Sequence, residues 1–216
     1  MRRLILVAAF LVIASLAFTQ SHPAHITASA LADQTWTELE SGNQRFITGQ
    51  SAHHDFVKQR QALAKTQSPK VAVLGCADSR LAPELIFDKE LGDLFVVRNA
   101  GNSPDPIAIG SLEYAVEHLG TIVIVVLGHE SCGAVMAACS GEKMPTVNLE
   151  AVVAPIAPSC STHKGDLTAA IKDHVHRSAE QLVARSPVLK HEVEAGKVKV
   201  IEAYYELDTG KVIRLN

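Results

Sequence analysis

Three short apolar runs restrict the fold more than any other feature of the chain. They are "KVAVLG" at residues 70–75, "LFVVR" at 94–98 and "TIVIVVLG" at 121–128. Each is rich in β-branched residues, too short for a helix, and nearly free of polar alternation. A strand reads this way when both of its faces are buried, which is the situation in a parallel sheet covered by helices on each side. Parallel neighbours cannot be joined by a hairpin and need a crossover. The segment "DPIAIGSLEYAVEHLG", between the second and third runs, supplies one, with Asp105 as cap, Pro106 in the first turn and Gly120 as stop. Later, "KVKVIEAYYEL" (197–207) and "KVIRL" (211–215) flank "DTG" and predict a hairpin. The expected fold is α/β, with a mostly parallel central β-sheet flanked by helices and a C-terminal antiparallel edge hairpin.

Upstream of the first strand, Asp33 is expected to cap a helix through "QTWTELESGNQRFITG". A second amphipathic piece covers about residues 54–64, and Ser68-Pro69 breaks it before the strand. Residues 149–195 read as helices again. No repeat or low-complexity segment divides residues 33–216, which are read as a single domain.

The chain opens "MRRLILVAAFLVIASLAFTQ". Arg2 and Arg3, an apolar run and the small-residue pattern Ser15-Leu16-Ala17 predict a cleavable signal peptide over residues 1–17. The 15 residues from Leu4 to Phe18 fall short of the ~20 that a spanning helix needs. Residues 18–32 read as a flexible leader. The expected location is periplasmic or secreted, with no membrane association once the signal is removed. Loss of the two arginines would move the net charge from −3 to −5. No basic stripe remains to neutralise phosphates, so nucleic acid is not an expected partner.

In open α/β sheets, ligands collect beyond the carboxyl ends of the strands. Cys76, Asp78 and Arg80 follow the first strand, "RNAGN" (98–102) closes the second, and "GHESCG" puts His129 and Cys132 after the third. Thiolate and imidazole are preferred zinc ligands, and Asp78 is available as a fourth group. Taken singly, each residue has a plainer reading: a buried thiol, a loop histidine, a surface ion pair. Their arrival together at adjacent strand ends favours zinc, with a reduced redox-type thiol pair as the competing reading.

The stretches "CADSRLAPELIFDKELGDLFVVRNAGN" and "GHESCGAV" together resemble the β-class carbonic anhydrases, with His129 lying 53 residues after Cys76. The resemblance extends to "ESGNQRF" and to the closing "YYELDTGKVIRL", and covers about residues 34–216. It implies one zinc ion per subunit, bound by Cys76, His129 and Cys132. It also implies an Asp78–Arg80 dyad. With the site open, Arg80 holds Asp78 off the metal and Asp78 accepts a hydrogen bond from zinc-bound hydroxide. With the site closed, Asp78 becomes a fourth zinc ligand. The implied reaction is reversible hydration of carbon dioxide to bicarbonate and a proton. The alternatives are hydrolysis of carbon disulfide or carbonyl sulfide on the same site, or a non-catalytic bicarbonate- or redox-responsive zinc protein. Members of the class are usually dimers or multiples of dimers, so a homodimer or dimer of dimers is expected, with residues 34–64 clasping the partner.

Two questions stay open in the sequence. Any of His22, His25, His53, His54, His118, His163, His174, His176 and His191 could serve as proton shuttle. Gly101 could either admit backbone to the site or simply form a turn. Cys139, near the end of the helix after Cys132, and Cys160, placed in a loop, lie outside the zinc set. In an exported protein they invite a disulfide.

Overall fold

The computed structural model describes residues 27–216; the predicted signal peptide and the leader up to residue 26 lie outside them. In chain order the elements are α1 (Ala28–Ile47), α2 (Phe56–Ala62), β1 (Val71–Cys76), α3 (Pro83–Ile86), β2 (Leu94–Asn99), α4 (Pro106–Leu119) and β3 (Val123–His129). There follow α5 (Gly133–Ser140), α6 (Val147–Val153), α7 (Ala157–Thr162), α8 (Leu167–Arg185), α9 (Pro187–Glu194), β4 (Lys199–Tyr205) and β5 (Val212–Arg214).

The sheet runs β2-β1-β3-β4-β5, parallel except for the β4–β5 pair. Successive strand residues point to opposite faces, and the burial divides accordingly. Val71, Val73, Val123, Val125 and Leu127 join one apolar cluster with Trp36 and Leu39 of α1 and Val135 of α5. Ala72, Leu74, Ile124 and Val126 join the other with Leu112 of α4, Leu182 of α8 and Leu189 of α9. β1 and β3 are therefore buried throughout, as their unbroken apolar runs require. β2 is only half-buried, because it lies at an edge of the sheet.

The crossover helix α4 has the predicted bounds: the Asp105 carboxylate accepts from the Ala108 N–H, and Gly120 closes the helix at φ 76°. α1 departs from expectation. It opens at Ala28 with the Thr27 hydroxyl accepting from the Ala30 N–H, so part of the segment read as leader is helical and Asp33 caps nothing. Asp33 instead pairs with Lys199 at 2.5 Å, a contact 166 residues away that local sequence does not announce. α2 buries none of its residues, unlike the amphipathic helix expected there.

Asn43 fastens α1 to the rest of the domain. Its amide donates to the carbonyls of Ile86 and Gly210, and its oxygen accepts from the Val212 N–H. At the sheet's carboxyl edge, Gly128 lets α8 approach β3: a Cβ there would lie 2.4 Å from Val175 Cγ2. That contact seats the strand residue just before His129.

Candidate metal centre

Cys76 and His129 are the last residues of β1 and β3, and Cys132 occupies the N-cap position of α5. Because β1 and β3 are adjacent and in parallel register, their ends coincide. The turn from His129 to Cys132 passes through Ser131 at φ 53°. The outcome is a cluster in which the two sulfurs and an imidazole nitrogen all lie within 4.8 Å of one another. The sulfurs are 4.0 Å apart. The three residues are 5%, 0% and 1% exposed for Cys76, His129 and Cys132.

The donor atoms suit a cation. His129 Nδ1 donates to the Glu130 carbonyl at 2.8 Å, because a carbonyl can only accept. That leaves Nε2 with a lone pair, buried and without a hydrogen-bond partner. Such an orphaned acceptor is costly in a protein interior but is what a metal-binding imidazole presents. The sulfurs give a consistent picture. Cys76 is drawn down to about 4, first by a hydrogen bond with Cys132 and further by His129 and the Gly101 N–H, against the opposing effect of burial. The same sulfur contact pushes the Cys132 thiol upward. A Cys76 thiolate thus sits beside a Cys132 thiol, which a cation would relieve of its proton, and two cysteine sulfurs with an imidazole fit zinc.

Asp78 stands beside this set, held by Arg80. Arg80 Nε donates to Oδ1 at 2.9 Å, its second guanidinium nitrogen to Oδ2 at 2.7 Å, and its backbone N–H to Oδ1 at 2.9 Å. These bonds, the guanidinium ones first, hold the Asp78 carboxyl well below the ordinary carboxylate range. Its Oδ2 is 3.9 Å from His129 Nε2. With both oxygens taken by Arg80, the carboxylate flanks the three donors and faces the arginine.

Two further groups, both in the "RNAGN" segment that closes β2, position the site, and of these only the action of Arg98 escaped the sequence reading. Arg98, at the end of β2, donates to the backbone carbonyls of Cys76 at 2.9 Å and Asp78 at 2.6 Å, clamping the segment that carries both. The Gly101 N–H points at Cys76 Sγ from 3.4 Å. Gly101 sits at φ 80°, and a Cβ on it would lie 2.7 Å from Ile156 Cδ1, so it serves both roles considered for it. The strand-end rule signalled Arg98, since β2 ends beside β1, but nothing local said which way its side chain turns.

Among the candidate shuttles, His22 and His25 lie outside the described residues. His174 is buried and lies behind the site, while His54 is tied to Asp88 and Glu90. The predicted disulfide is present: Cys139 of α5 is bonded to Cys160. Cys160 belongs to α7 and not to a loop, since Pro158 in the first turn starts a short helix there.

An α/β sheet that gathers two thiols, an imidazole and an arginine-held carboxylate at its carboxyl edge has the donor set of a sulfur-rich metal centre. The carbonic anhydrase family model matches residues 71–212. "Carbonic anhydrase 2" of Mycobacterium tuberculosis is 40% identical over 186 residues, spanning 82% of this chain and 90% of the relative. Among solved structures, the β-carbonic anhydrase CcaA is 27% identical at TM-score 0.62, covering 85% of this chain and 88% of that one. A chain described as a tetrameric β-carbonic anhydrase from Sordaria macrospora shares the fold at TM-score 0.68 and 22% identity, over 85% of this chain and 98% of its own. This chain belongs to the carbonic anhydrase family, in its β class.

Proposed function

We propose that the chain is a zinc-dependent carbonic anhydrase that interconverts carbon dioxide and bicarbonate outside the cytoplasm. Cys76, His129 and Cys132 would hold the ion. Bound there, zinc would supply the Lewis acidity that brings the pKa of a water from ~15.7 towards ~7. Asp78 accepts a hydrogen bond from that reacting water and orients it towards carbon dioxide. Arg80 keeps Asp78 in this role by occupying both carboxylate oxygens, which stops it from turning in as a fourth ligand. Arg98 holds the Cys76 and Asp78 backbone still while water and substrate exchange.

The observation that carries the reading is the two-pronged Asp78–Arg80 pair, with its inner oxygen 3.9 Å from His129 Nε2. A purely structural metal site has no need of that arginine. Carbon disulfide or carbonyl sulfide hydrolysis and a closed regulatory site are not favoured, since the matched relatives carry carbonic anhydrase names. The test is zinc content together with stopped-flow carbon dioxide hydration between about pH 6 and 9, the range in which such a water titrates. Wild type should carry one zinc per subunit and be active; Cys76→Ala should have neither property. Full activity in zinc-free Cys76→Ala would overturn the mechanism.

Export is supported by the sequence of residues 1–17 and by the Cys139–Cys160 bond, because disulfides persist in oxidising compartments. Among the described residues no helix is long and apolar enough to cross a membrane. A homodimer, alone or doubled, is supported by the exposed Phe56 and Val57 of α2 and by β2 having a sheet partner on one side only. Sedimentation velocity on the mature protein should give at least a dimer, and a sharp monomer boundary would refute it.

A further inference from the structure

His174 lies on α8, 2% exposed, with its ring against the turn that follows β2. Its Nε2 is 2.7 Å from the Gly101 carbonyl oxygen, with Ser103 Oγ at 3.3 Å and Ser178 Oγ at 3.4 Å. The carbonyl can only accept, so Nε2 carries the proton. Burial, the largest influence on the ring, pulls its pKa down and keeps it neutral. Nδ1 is then an unprotonated acceptor, buried with no partner. An apolar residue at this position would avoid that cost, so the histidine must do something that an apolar residue could not.

What it holds is Gly101. The carbonyl of Gly101 takes the His174 proton, and the N–H of the same residue points at Cys76 Sγ. Ile156 and Ala134 press on Gly101 from the other side, leaving no room for even a Cβ. The Asn99 side chain closes the turn by bonding both the N–H and the carbonyl of Ser103. Of these supports, the His174 bond is the one made to Gly101 by a hydrogen-bonding side chain from another element of the fold.

We propose that His174 is a positioning residue for the metal centre, fixing the Gly101 amide on the Cys76 sulfur and thereby setting the orientation and charge of that thiolate. The proposal rests on Cys76 being a metal ligand. A hydrogen bond to a ligating sulfur withdraws charge from it and restricts its swing, and outer-shell contacts of this kind change metal affinity by roughly 10–100-fold. His174 acts through geometry and takes no part in moving protons to solvent.

The test uses the full mature protein loaded with cobalt, read by its thiolate-to-cobalt absorption and by the rate of metal loss to a chelator. His174→Leu, which cannot donate, should shift the band and release metal about 10–100-fold faster. His174→Gln, whose amide nitrogen reaches the place of Nε2, should restore both towards wild type. An unchanged band and release rate in His174→Leu, or a His174→Gln protein as defective as the leucine variant, would overturn the proposal. Should His174→Leu fail to fold, nitrogen-15 spectra of the wild-type ring decide: protonation at Nε2 is required, and protonation at Nδ1 refutes it. A wild-type protein that binds neither cobalt nor zinc would instead remove the metal reading itself, and this inference with it.

Discussion

Cys132 and Cys139 stand at the two ends of α5, seven residues apart, and each has a cysteine partner from another element. Cys132 faces Cys76 across 4.0 Å with no disulfide between them, whereas Cys139 is bonded to Cys160. The two pairs differ in their surroundings. Around the first are the free Nε2 of His129 and the amide of Gly101, groups that favour thiolates shared with a cation. The second sits at the protein surface between two short helices, where nothing comparable stabilises a thiolate. One helix therefore carries an end that faces the proposed metal centre and a stapled end. The staple joins α5 to α7, and Ala134 of α5 and Ile156, the residue that caps α7, form the wall behind Gly101. The disulfide thus braces the support of the metal ligand without belonging to the site.

Breaking each pair should give opposite phenotypes. The largest effect is expected from Cys132→Ser, which should lose stoichiometric zinc and bring carbon dioxide hydration to background, while Cys139→Ser keeps zinc; metal analysis and stopped-flow assay check both. Next comes Asp78→Asn. It should retain zinc but lose on the order of 10²-fold in kcat/KM, since it removes a group positioned for proton chemistry and not a ligand. The double variant Cys139→Ser/Cys160→Ser should keep its metal and lose roughly 3 kcal/mol of stability in urea unfolding, the loop-closure value for a 21-residue separation. Thiol counting on denatured, unreduced, zinc-chelated wild type should correspondingly find two free thiols, and four would erase the contrast.

The smallest effect concerns an electrostatic fastening elsewhere. Asp88 is buried and accepts from Arg45, from the Ala52 N–H and from His54. Contact with Glu90 first, and then with Asp88, raises the pKa of His54 against a modest opposing effect of burial. A raised pKa means that the stabilisation is complete below the unfolded value of ~6.5 and is lost as pH climbs through the folded value. His54→Gln should therefore cost less than ~1 kcal/mol at about pH 5.5 and nearly nothing at about pH 8.5. Thermal melts at the two pH values separate this titrating fastening from the covalent one.

Much of the architecture was legible because its causes are local. The unbroken apolar runs of β1 and β3 announced burial on both faces, and Asp105, Pro106 and Gly120 bounded α4. Where local signals compete, the sequence misled. Thr27 and Asp33 are both able caps, and the earlier one won because Ala32, just before Asp33, already belongs to the buried stripe with Trp36 and Leu39, so the helix begins ahead of it. Likewise the apolar run of β2 gave no hint that it would lie at the edge of the sheet. In the site, the strand-end rule grouped the ligand types, while the Asp78–Arg80 dyad came from the resemblance, because spacing alone left a surface ion pair open. The clamps Arg98 and His174 were not, because each acts on backbone groups 20 to 73 residues away.

The sequence by itself determined the strands, the groups at their carboxyl ends and the presence of an arginine two residues from a carboxylate. These depend on residue type and short-range spacing. Only the tertiary structure decided that β1 lies between β2 and β3, that Asp78 turns to Arg80, and that Cys139 meets Cys160 while Cys132 meets Cys76. Those outcomes depend on strand order and helix packing, which bring distant residues within bonding distance, and no run of neighbouring side chains encodes them.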